Sequence, residues 1–167
     1  MSPKKINFEE KQYFNQIWIR IGQYAVIGFA LFLVYKQLIM GEPIGNNPAS
    51  DELVYFLVVV LFATAWWFQA LHMHTLINNE GIKIKFKPLM FQSRKFKWNE
   101  IYSAKIRKYN PIYEYGGWGI RLGLFGKGRA YNVKGNIGLQ LELTNGKKIL
   151  IGTQEKEELS KHFEIQE

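Results

Sequence analysis

The sequence predicts an α+β chain in which a hairpin of two long apolar helices precedes an antiparallel β-barrel or roll of about seven strands with a C-terminal helix. Three observations support this fold class. Leu53–Leu71 is a run of 19 residues without a charge, and Ile21–Tyr35 is a second uncharged run of 15 residues. From His72 onward, apolar and polar residues alternate in short runs, which is typical of half-buried strands.

Both apolar runs are predicted to cross a membrane. The longer run matches the hydrocarbon thickness of a bilayer, since a helix rises about 1.5 Å per residue. The shorter run reaches a similar length when it starts at Ile17, because the long side chain of Arg20 can extend to the interface. A cleaved signal peptide is the alternative for this first helix, but no small-residue cleavage motif follows Tyr35.

The distribution of charge orients five predicted segments. These are a cytoplasmic N-terminal segment 1–16, transmembrane helix 17–40, extracytoplasmic loop 41–52, transmembrane helix 53–73 and a cytoplasmic domain 74–167. Cations that include Lys4, Lys5 and Lys11 flank the helices, whereas the loop has no lysine or arginine. Positive flanks stay inside, which predicts a multi-pass protein of the cytoplasmic membrane with both termini in the cytoplasm. The predicted interface anchors are Trp18, Arg20, Trp66 and Trp67.

Small residues predict where the two helices approach each other. They are Gly22, Ala25, Gly28, Ala63 and Ala70. A homo-oligomer is left open, because two helices cannot enclose a pore without further copies.

One β-hairpin can be predicted in detail from LELTNGKKILI, residues 141–151. A three-residue loop at 144–146 pairs Leu141 with Ile149 and gathers the apolar side chains on one face. A two-residue Asn-Gly loop would divide them between the two faces. Burial contributes about 1.5–3 kcal/mol per apolar side chain, so the three-residue loop with a glycine bulge is predicted.

The glycine-rich stretch YGGWGIR, residues 115–121, is predicted to be a structural strand and not a phosphate-binding loop. Phosphate-binding fingerprints place a helix after the glycines, and no helical pattern follows here. Glycine within a strand marks a bend or a close backbone approach. GLFGKGRA, residues 123–130, is predicted to be a hairpin tip, and EKEELSKHF, residues 155–163, a helix capped by Thr153.

The order of these elements resembles bacterial membrane-anchored proteins with a pleckstrin-homology-like (PH-like) domain, a largely uncharacterised family. The resemblance rests on GIKIKF followed by RKFKWNEI, on the stretch from GGWGIR to AYNVKGNIGLQLELTNGKKILIGTQ, and on the terminal helix. It implies a PH-like fold and little about function, since one fold supports many roles. In eukaryotic relatives a basic strand–loop–strand motif binds phosphoinositides. Here its last position is lysine instead of arginine, so specific phosphoinositide binding is not predicted.

Five lysines on two consecutive strands form a candidate lipid surface. Strand alternation turns them toward solvent: Lys83, Lys85, Lys87, Lys95 and Lys97. Basic residues near an anionic leaflet contribute about 1 kcal/mol each. A solvated face that protects a sheet edge is the alternative interpretation.

A polar–aromatic cluster of Tyr115, Trp118 and Arg121 is the candidate surface for a protein partner, because aromatic residues and arginine dominate interface hot spots. A core tryptophan and a salt bridge on the strand explain the same residues. No catalytic residue, cofactor motif or metal site is predicted, since the chain lacks cysteine and His72 and His74 have no evident further ligands. Nucleic acid is not predicted, because part of the basic charge already serves to orient the helices.

The predicted function is therefore non-enzymatic. An integral membrane protein presents a PH-like domain as a protein- or peptide-binding or scaffold module at the cytoplasmic membrane face. The alternative function is binding to an anionic lipid surface through the five lysines. Salt should weaken lipid attraction, whereas partner binding should depend on an exposed edge or a hot spot.

Overall fold

The computed structural model describes residues 7–42 and 44–166. Its helices are α1 (Ile17–Leu33), α2 (Asp51–Ala70), α3 (Pro111–Tyr115) and α4 (Lys156–Ser160), with a π-helical segment at Val34–Ile39. Its strands are β1 (Phe8–Tyr13), β2 (His72–Asn78), β3 (Gly81–Lys87), β4 (Arg94–Lys97), β5 (Ile101–Lys108), β6 (Gly119–Leu122), β7 (Arg129–Asn132), β8 (Ile137–Leu143), β9 (Lys148–Gly152) and β10 (Ile165–Gln166). The predicted α+β class is confirmed.

The described chain divides into two compact units. The hairpin unit covers residues 14–70, and the sheet unit combines residues 7–13 with 71–166. β1 and β2 are neighbours in one sheet, and Tyr13 lies opposite His72. In the order of the chain, the whole hairpin unit is therefore inserted between two adjacent antiparallel strands.

The sequence does not predict β1. Two of its inward-facing residues, Glu10 and Gln12, are polar although buried, and they obscure the period-two pattern. The predicted cytoplasmic segment 1–16 thus contains the first strand of the sheet unit. Residues 1–6, with Lys4 and Lys5, lie outside the described residues.

Both long helical stretches, Ile17–Ile39 and Asp51–Ala70, are apolar and long enough to cross a membrane by length and composition. Their mean hydropathies are 1.8 and 1.9. The second helix ends at Ala70, three residues before the predicted boundary, because the strand alternation of β2 begins at His72.

Contact within the hairpin unit does not use the small residues that the sequence predicts. Ala30 and Leu33 of α1 and Val54 and Ala65 of α2 are the buried apolar residues. The predicted glycines of α1 have open space where a Cβ would lie, and Ala25, Ala63 and Ala70 are exposed. That part of the prediction is wrong, since the buried stripe lies on other faces of the helices.

The described strands of the sheet unit form two open sheets, so the predicted antiparallel barrel or roll of about seven strands is not closed. The first is an antiparallel meander in the order β1-β2-β3-β4. The second has the order β10-β5-β8-β9-β7-β6, with parallel pairing between β7 and β9 and between β5 and the two-residue β10. β6 pairs only with β7 among the described strands, so it is the outermost strand at this end of the sheet, and the sheet does not close.

The β8–β9 hairpin has the predicted register. Leu141 lies opposite Ile149 and Leu139 opposite Ile151. The N–H of Leu143 donates to the carbonyl of Lys147 at 2.8 Å, which closes the three-residue loop. Gly146 has φ +77°, the conformation that a glycine bulge requires.

A short helix interrupts the region that the sequence predicts to be a strand. Asn110 Oδ1 accepts from the N–H groups of Ile112 and Tyr113 at 3.1 and 3.0 Å, and Pro111 occupies the first turn. Gly116 ends α3 in the left-handed region at φ 68°. The strand prediction for YGGWGIR is therefore wrong before Gly119, where β6 begins.

The C-terminal helix is shorter than predicted and has another cap. α4 spans five residues with Glu155 at its N-cap position. Thr153 instead accepts from the Glu155 N–H at 3.0 Å and donates its hydroxyl to Glu10 Oε2 at 2.8 Å. Leu159 of α4 is 2% exposed, and Phe163, within the predicted helix 155–163, lies beyond α4 with its ring 6.2 Å from that of Trp98.

Candidate functional site

The outer surface of the four-stranded sheet gathers all five predicted lysines and adds a sixth from β1. We call this surface the basic face: Lys11, Lys83, Lys85, Lys87, Lys95 and Lys97. Strand alternation places it there, because Ile82, Ile84 and Phe86 between the lysines point inward and are at most 1% exposed. Because the apolar side chains of these strands are buried on one side of the sheet, the alternating lysines must lie on the other side.

The register arranges these cations in rows across the strands. Lys83 lies opposite Lys95, and Lys85 lies opposite His74, which in turn lies opposite Lys11. Directly opposite side chains have Cβ atoms about 4.5–5.5 Å apart, and like charges at that distance repel. The fold therefore concentrates positive charge on one face.

Acidic residues compensate little of this charge. Within the described residues of β1 to β4, Glu9 is the one carboxylate on the basic face, and its Oε1 lies 2.8 Å from His74 Nε2 and 3.9 Å from Lys11 Nζ. In the part of the chain that the structure describes, no ion pair engages Lys83, Lys85, Lys87, Lys95 or Lys97. Their ammonium groups are available to an external anion.

A shallow depression of about 340 Å³ lies on this face near the turn between β2 and β3. Its lining includes Leu76, Asn78, Glu80, Lys83, Lys95 and Lys97. The lysines line an open surface and do not converge on an enclosed cavity. This geometry favours a broad anionic surface over a small buried ligand.

The three predicted partner-binding residues do not share one exposed surface. Tyr115 is 2% exposed, and its hydroxyl lies 3.2 Å from Arg107 Nη2 and 3.3 Å from the carbonyl of Lys127. Trp118 is half-buried and donates from Nε1 to the carbonyl of Gly135 at 3.0 Å. Tyr115 therefore cannot contact a partner, and that prediction is corrected: the aromatic ring that ends α3 belongs to the core.

Arg121 is the exposed member of the predicted set. Its Nε donates to the carbonyl of Trp118 at 2.9 Å, and it lies on β6 at the free edge of the second sheet. The alternative interpretation of this cluster is a salt bridge on the strand, and within residues 7–42 and 44–166 Arg121 forms none. Glu114 pairs with Arg107 instead.

Exposed apolar side chains on β6, in the turn that follows it and on α3, which contacts this turn, are a feature that the sequence does not predict. Leu122 and Leu124 are 71% and 50% exposed, and on α3 Ile112 and Tyr113 are 62% and 79% exposed. We call these four residues together with β6 the apolar edge. The sequence signal for it is the pair of leucines between glycines in GIRLGLFG, residues 119–126.

A charged network holds α3 on the second sheet. Arg107 Nη2 and Nη1 lie 2.8 and 3.2 Å from the two carboxylate oxygens of Glu114, and Arg107 Nε donates to Gln140 Oε1 at 3.1 Å. Burial raises the pKa of Glu114, but hydrogen bonds from Arg107 and from the Asn110 N–H lower it more, so its pKa lies below the ordinary value. The network is a structural clamp, since its charges are satisfied internally.

The aromatic rings beneath α3 complete this clamp. Tyr109 and Tyr115 pack edge to face at 5.9 Å, in a buried cluster with Ala130 and Leu150. Burial raises the pKa of Tyr109 to about 12, although its hydroxyl accepts a hydrogen bond from Asn132 Nδ2 at 3.0 Å. This cluster therefore covers the face of β9 that carries Leu150.

Glu10 is a buried carboxylate that joins β1 to the end of β9. Its Oε1 accepts from the Gln154 N–H at 2.7 Å, and its Oε2 accepts from Thr153 Oγ1 at 2.8 Å. The neighbouring Gln12 Nε2 donates to the carbonyl of Gly152 at 2.7 Å. Burial is the largest influence and raises the pKa of Glu10 above its ordinary value.

The two histidines that the sequence considers as metal ligands have other contacts. His74 lies beside Glu9, and the ring of His72 stacks on Tyr13 with centroids 5.3 Å apart. Among residues 7–42 and 44–166, no group of three His, Cys, Asp or Glu residues comes close enough to hold a metal ion.

Comparison with known proteins adds no name to these surfaces. No protein-family model matches the chain, and no curated protein matches its sequence. The functional argument therefore depends on the basic face and the apolar edge.

Proposed function

We propose that this chain is an integral membrane protein whose helical hairpin anchors the sheet unit at the cytoplasmic face of the membrane, with both termini inside. The two apolar helices support the anchor. The orientation follows from cations on the flanks and from a connecting loop that has Glu42, Asp51 and Glu52 but no lysine or arginine.

A PH-like identity for the sheet unit is part of this proposal. The four-stranded antiparallel meander, the following sheet and the terminal α4 support it. Three features depart from the expected pattern: the two sheets are open, the second sheet has parallel pairs, and α4 is only five residues long. The proposed role therefore depends on the surfaces and not on the fold name.

The sheet unit acts, in this proposal, as a non-enzymatic binding module for a protein segment. The observation that carries it is the apolar edge: among the described strands β6 pairs on one side only, with β7, and Leu122 at its end is 71% exposed. Unpaired strand edges accept extended peptides through main-chain hydrogen bonds. Arg121 and Lys127 nearby are exposed cations, so an extended apolar segment with acidic residues suits this surface.

Site-specific crosslinking in the native membrane tests the partner proposal. A photoreactive residue at Leu122 should yield one discrete adduct, whereas the same residue at Tyr102, which is 78% exposed on β5, should not. Leu124→Lys should weaken the Leu122 adduct by disturbing the apolar edge. Equal labelling at both positions, or none at Leu122, contradicts partner binding along β6.

Binding to an anionic lipid surface is the second candidate function. The basic face carries six lysines in rows, with one carboxylate among them. An anionic leaflet would relieve the repulsion between opposite lysines such as Lys83 and Lys95 and would gain about 1 kcal/mol per cation.

A soluble form of the sheet unit allows a direct lipid test. Because Tyr13 lies opposite His72, residues 14–71 can be replaced by an Asn-Gly turn; we call this chain the excised sheet unit. A simple truncation to residues 75–167 is unsuitable for this test, because it would remove β1 and residues 72–74 of β2.

The excised sheet unit should sediment with anionic phospholipid vesicles and not with zwitterionic ones. Lys85→Glu with Lys95→Glu should abolish sedimentation. Lys147→Glu with Lys156→Glu is the matched control, because it changes net charge equally at exposed positions away from the basic face. Equal loss in both pairs would indicate nonspecific charge attraction and would contradict a defined lipid face.

A further inference from the structure

The loop between β3 and β4, residues 88–93, presents large apolar side chains to solvent within the sheet unit. Phe91 is 95% exposed and Leu89 is 47% exposed. We call residues 88–93 the apolar loop. A phenylalanine with nearly all of its surface outside the fold contributes little to the core, so its apolar surface is left for an external contact.

The position of the apolar loop in the first sheet indicates what it contacts. β3 ends at Lys87, which lies opposite His72, and His72 lies opposite Tyr13. Lys87, His72 and Tyr13 therefore form the last row at one end of the sheet. The apolar loop leaves the sheet at this row, and so do both connections to the hairpin unit.

Those two connections are short. Residues 14–16 separate β1 from α1, and Leu71 alone separates α2 from β2. A chain spans at most about 3.3–3.6 Å per residue, so neither connection reaches much beyond about 10–15 Å. If the hairpin crosses a bilayer, the Tyr13–His72–Lys87 end of the sheet is held close to its surface.

Charge around the apolar loop suits the same surface. Lys87 precedes it, Arg94 and Lys95 follow it, and no acidic residue occurs between Glu80 and Glu100. An apolar tip with a basic collar matches an anionic interface, because the tip can enter the acyl boundary while the cations remain at the headgroups.

We propose that the apolar loop is a further membrane contact, which inserts Leu89 and Phe91 into the bilayer interface. The inference rests on the membrane anchoring proposed above, and it names phospholipid as the occupant of this tip. Insertion would fix the tilt of the sheet unit on the membrane and would hold the basic face against anionic headgroups.

The absence of cysteine from the sequence permits a depth measurement on the full-length chain in vesicles of mixed zwitterionic and anionic phospholipid. Single cysteines at Gln92, Asn79 and Val59 receive the same fluorophore. Gln92 lies in the apolar loop and leaves Phe91 intact, Asn79 lies in the turn at the opposite end of the sheet, and Val59 lies within α2.

Acyl-chain quenchers should act on the Val59 and Gln92 labels several-fold more strongly than on the Asn79 label, and iodide in the water should act mainly on Asn79. Leu89→Ser with Phe91→Ser should reduce quenching of the Gln92 label to the Asn79 level while Val59 is unchanged. That loss assigns the insertion to the apolar side chains and not to the fluorophore.

Other outcomes separate the two proposals. Quenching at Val59 with a water-exposed Gln92 label overturns loop insertion and leaves the membrane anchor standing. A Gln92 label shielded from both quenchers indicates a protein contact and also overturns it. A water-exposed Val59 label overturns the membrane anchor itself, and loop insertion with it.

Discussion

The hairpin unit and the sheet unit use the same apolar residue types in opposite ways. In the hairpin unit, Val59 and Trp66 are 66% and 76% exposed, whereas the buried positions include the small residues Ala30 and Ala65. In the sheet unit, Ile84 is fully buried. Many large apolar side chains of the hairpin unit face outward, whereas the strands of the sheet unit turn most of theirs inward, apart from the apolar edge and the apolar loop.

This inversion is the pattern that the membrane proposal predicts, with the hairpin unit in hydrocarbon and the sheet unit in water. An apolar surface of that extent is an aggregation liability in water, but it is favourable in hydrocarbon. One buried polar side chain of the hairpin unit is well satisfied: the amide of Gln37 donates to the carbonyl of Ala49 at 2.7 Å and to Asp51 Oδ1 at 3.0 Å. The comparison supports the membrane proposal from side-chain placement, independently of the length of the helices.

The largest expected effect comes from a substitution in the core of the sheet unit. Ile84→Ala in the excised sheet unit should lower the free energy of unfolding by about 2–5 kcal/mol, because the side chain is fully buried and its removal leaves a cavity. Urea unfolding measures this change. Lys83→Ala on the neighbouring, exposed position should change it by less than about 0.5 kcal/mol. Similar losses for both variants would contradict the assignment of inner and outer faces.

The next effect tests the exterior of the hairpin unit. Val59→Arg should disfavour membrane integration by about 2.5–3.5 kcal/mol if this exposed residue faces lipid. The measurement is the fraction of full-length chain that resists alkaline extraction from membranes. Val59→Leu is the control and should integrate like the unchanged chain. Equal integration of the arginine variant would place Val59 in water and remove the contrast between the units.

The third prediction concerns charge inside the sheet unit. Arg107→Ala should destabilise the excised sheet unit by about 1.5–3 kcal/mol, since it removes hydrogen bonds to a carboxylate that is only 17% exposed. Arg121→Ala is the control, because this exposed side chain makes one hydrogen bond to a carbonyl, and a change below about 0.5 kcal/mol is expected. Urea midpoints compare the two. A larger loss for Arg121→Ala would mean that the apolar edge, and not the α3 clamp, is structural.

Much of this organisation follows from sequence periodicity. Long uncharged runs identify both helices, and the alternation in GIKIKFK assigns Ile84 inward and Lys83 outward without further information. The TNG turn is also predictable, because only one loop length gathers Leu141 and Ile149 on the same face. These features depend on local patterns that extend over several residues.

The remaining features depend on partners that are distant in the sequence. β1 is not predicted, because Glu10 is polar and buried only through its contacts with residues 153 and 154. α3 is too short to show helical periodicity, so the sequence predicts a surface position for Tyr115. In the structure Tyr115 is buried, and its hydroxyl accepts a hydrogen bond from Arg107. The two open sheets follow from the parallel β7–β9 pairing, which no local pattern specifies.

The smallest expected effect concerns two carboxylates of the sheet unit, Glu10 and Glu114. They should influence the pH dependence of its stability in opposite directions. Burial raises the pKa of Glu10 above the ordinary value of 4.5. The contribution of Glu10 to the free energy of unfolding is therefore fully present below pH 4.5, and it is lost as the pH rises through the pKa of the folded state. The pKa of Glu114 is lowered, because its hydrogen bonds and ion pair outweigh burial, so its contribution is present above 4.5 and is lost as pH falls through the folded pKa.

Glutamine at either position should therefore alter opposite limbs of the stability profile. In the excised sheet unit, Glu10→Gln should reduce the loss of stability above about pH 4.5, and Glu114→Gln should reduce the loss below it. Urea midpoints measured on both sides of that pH provide the test. If both variants altered the same limb, the two carboxylates would share one environment. The contrast between a buried carboxylate held by neutral donors and one held by an arginine would then be wrong.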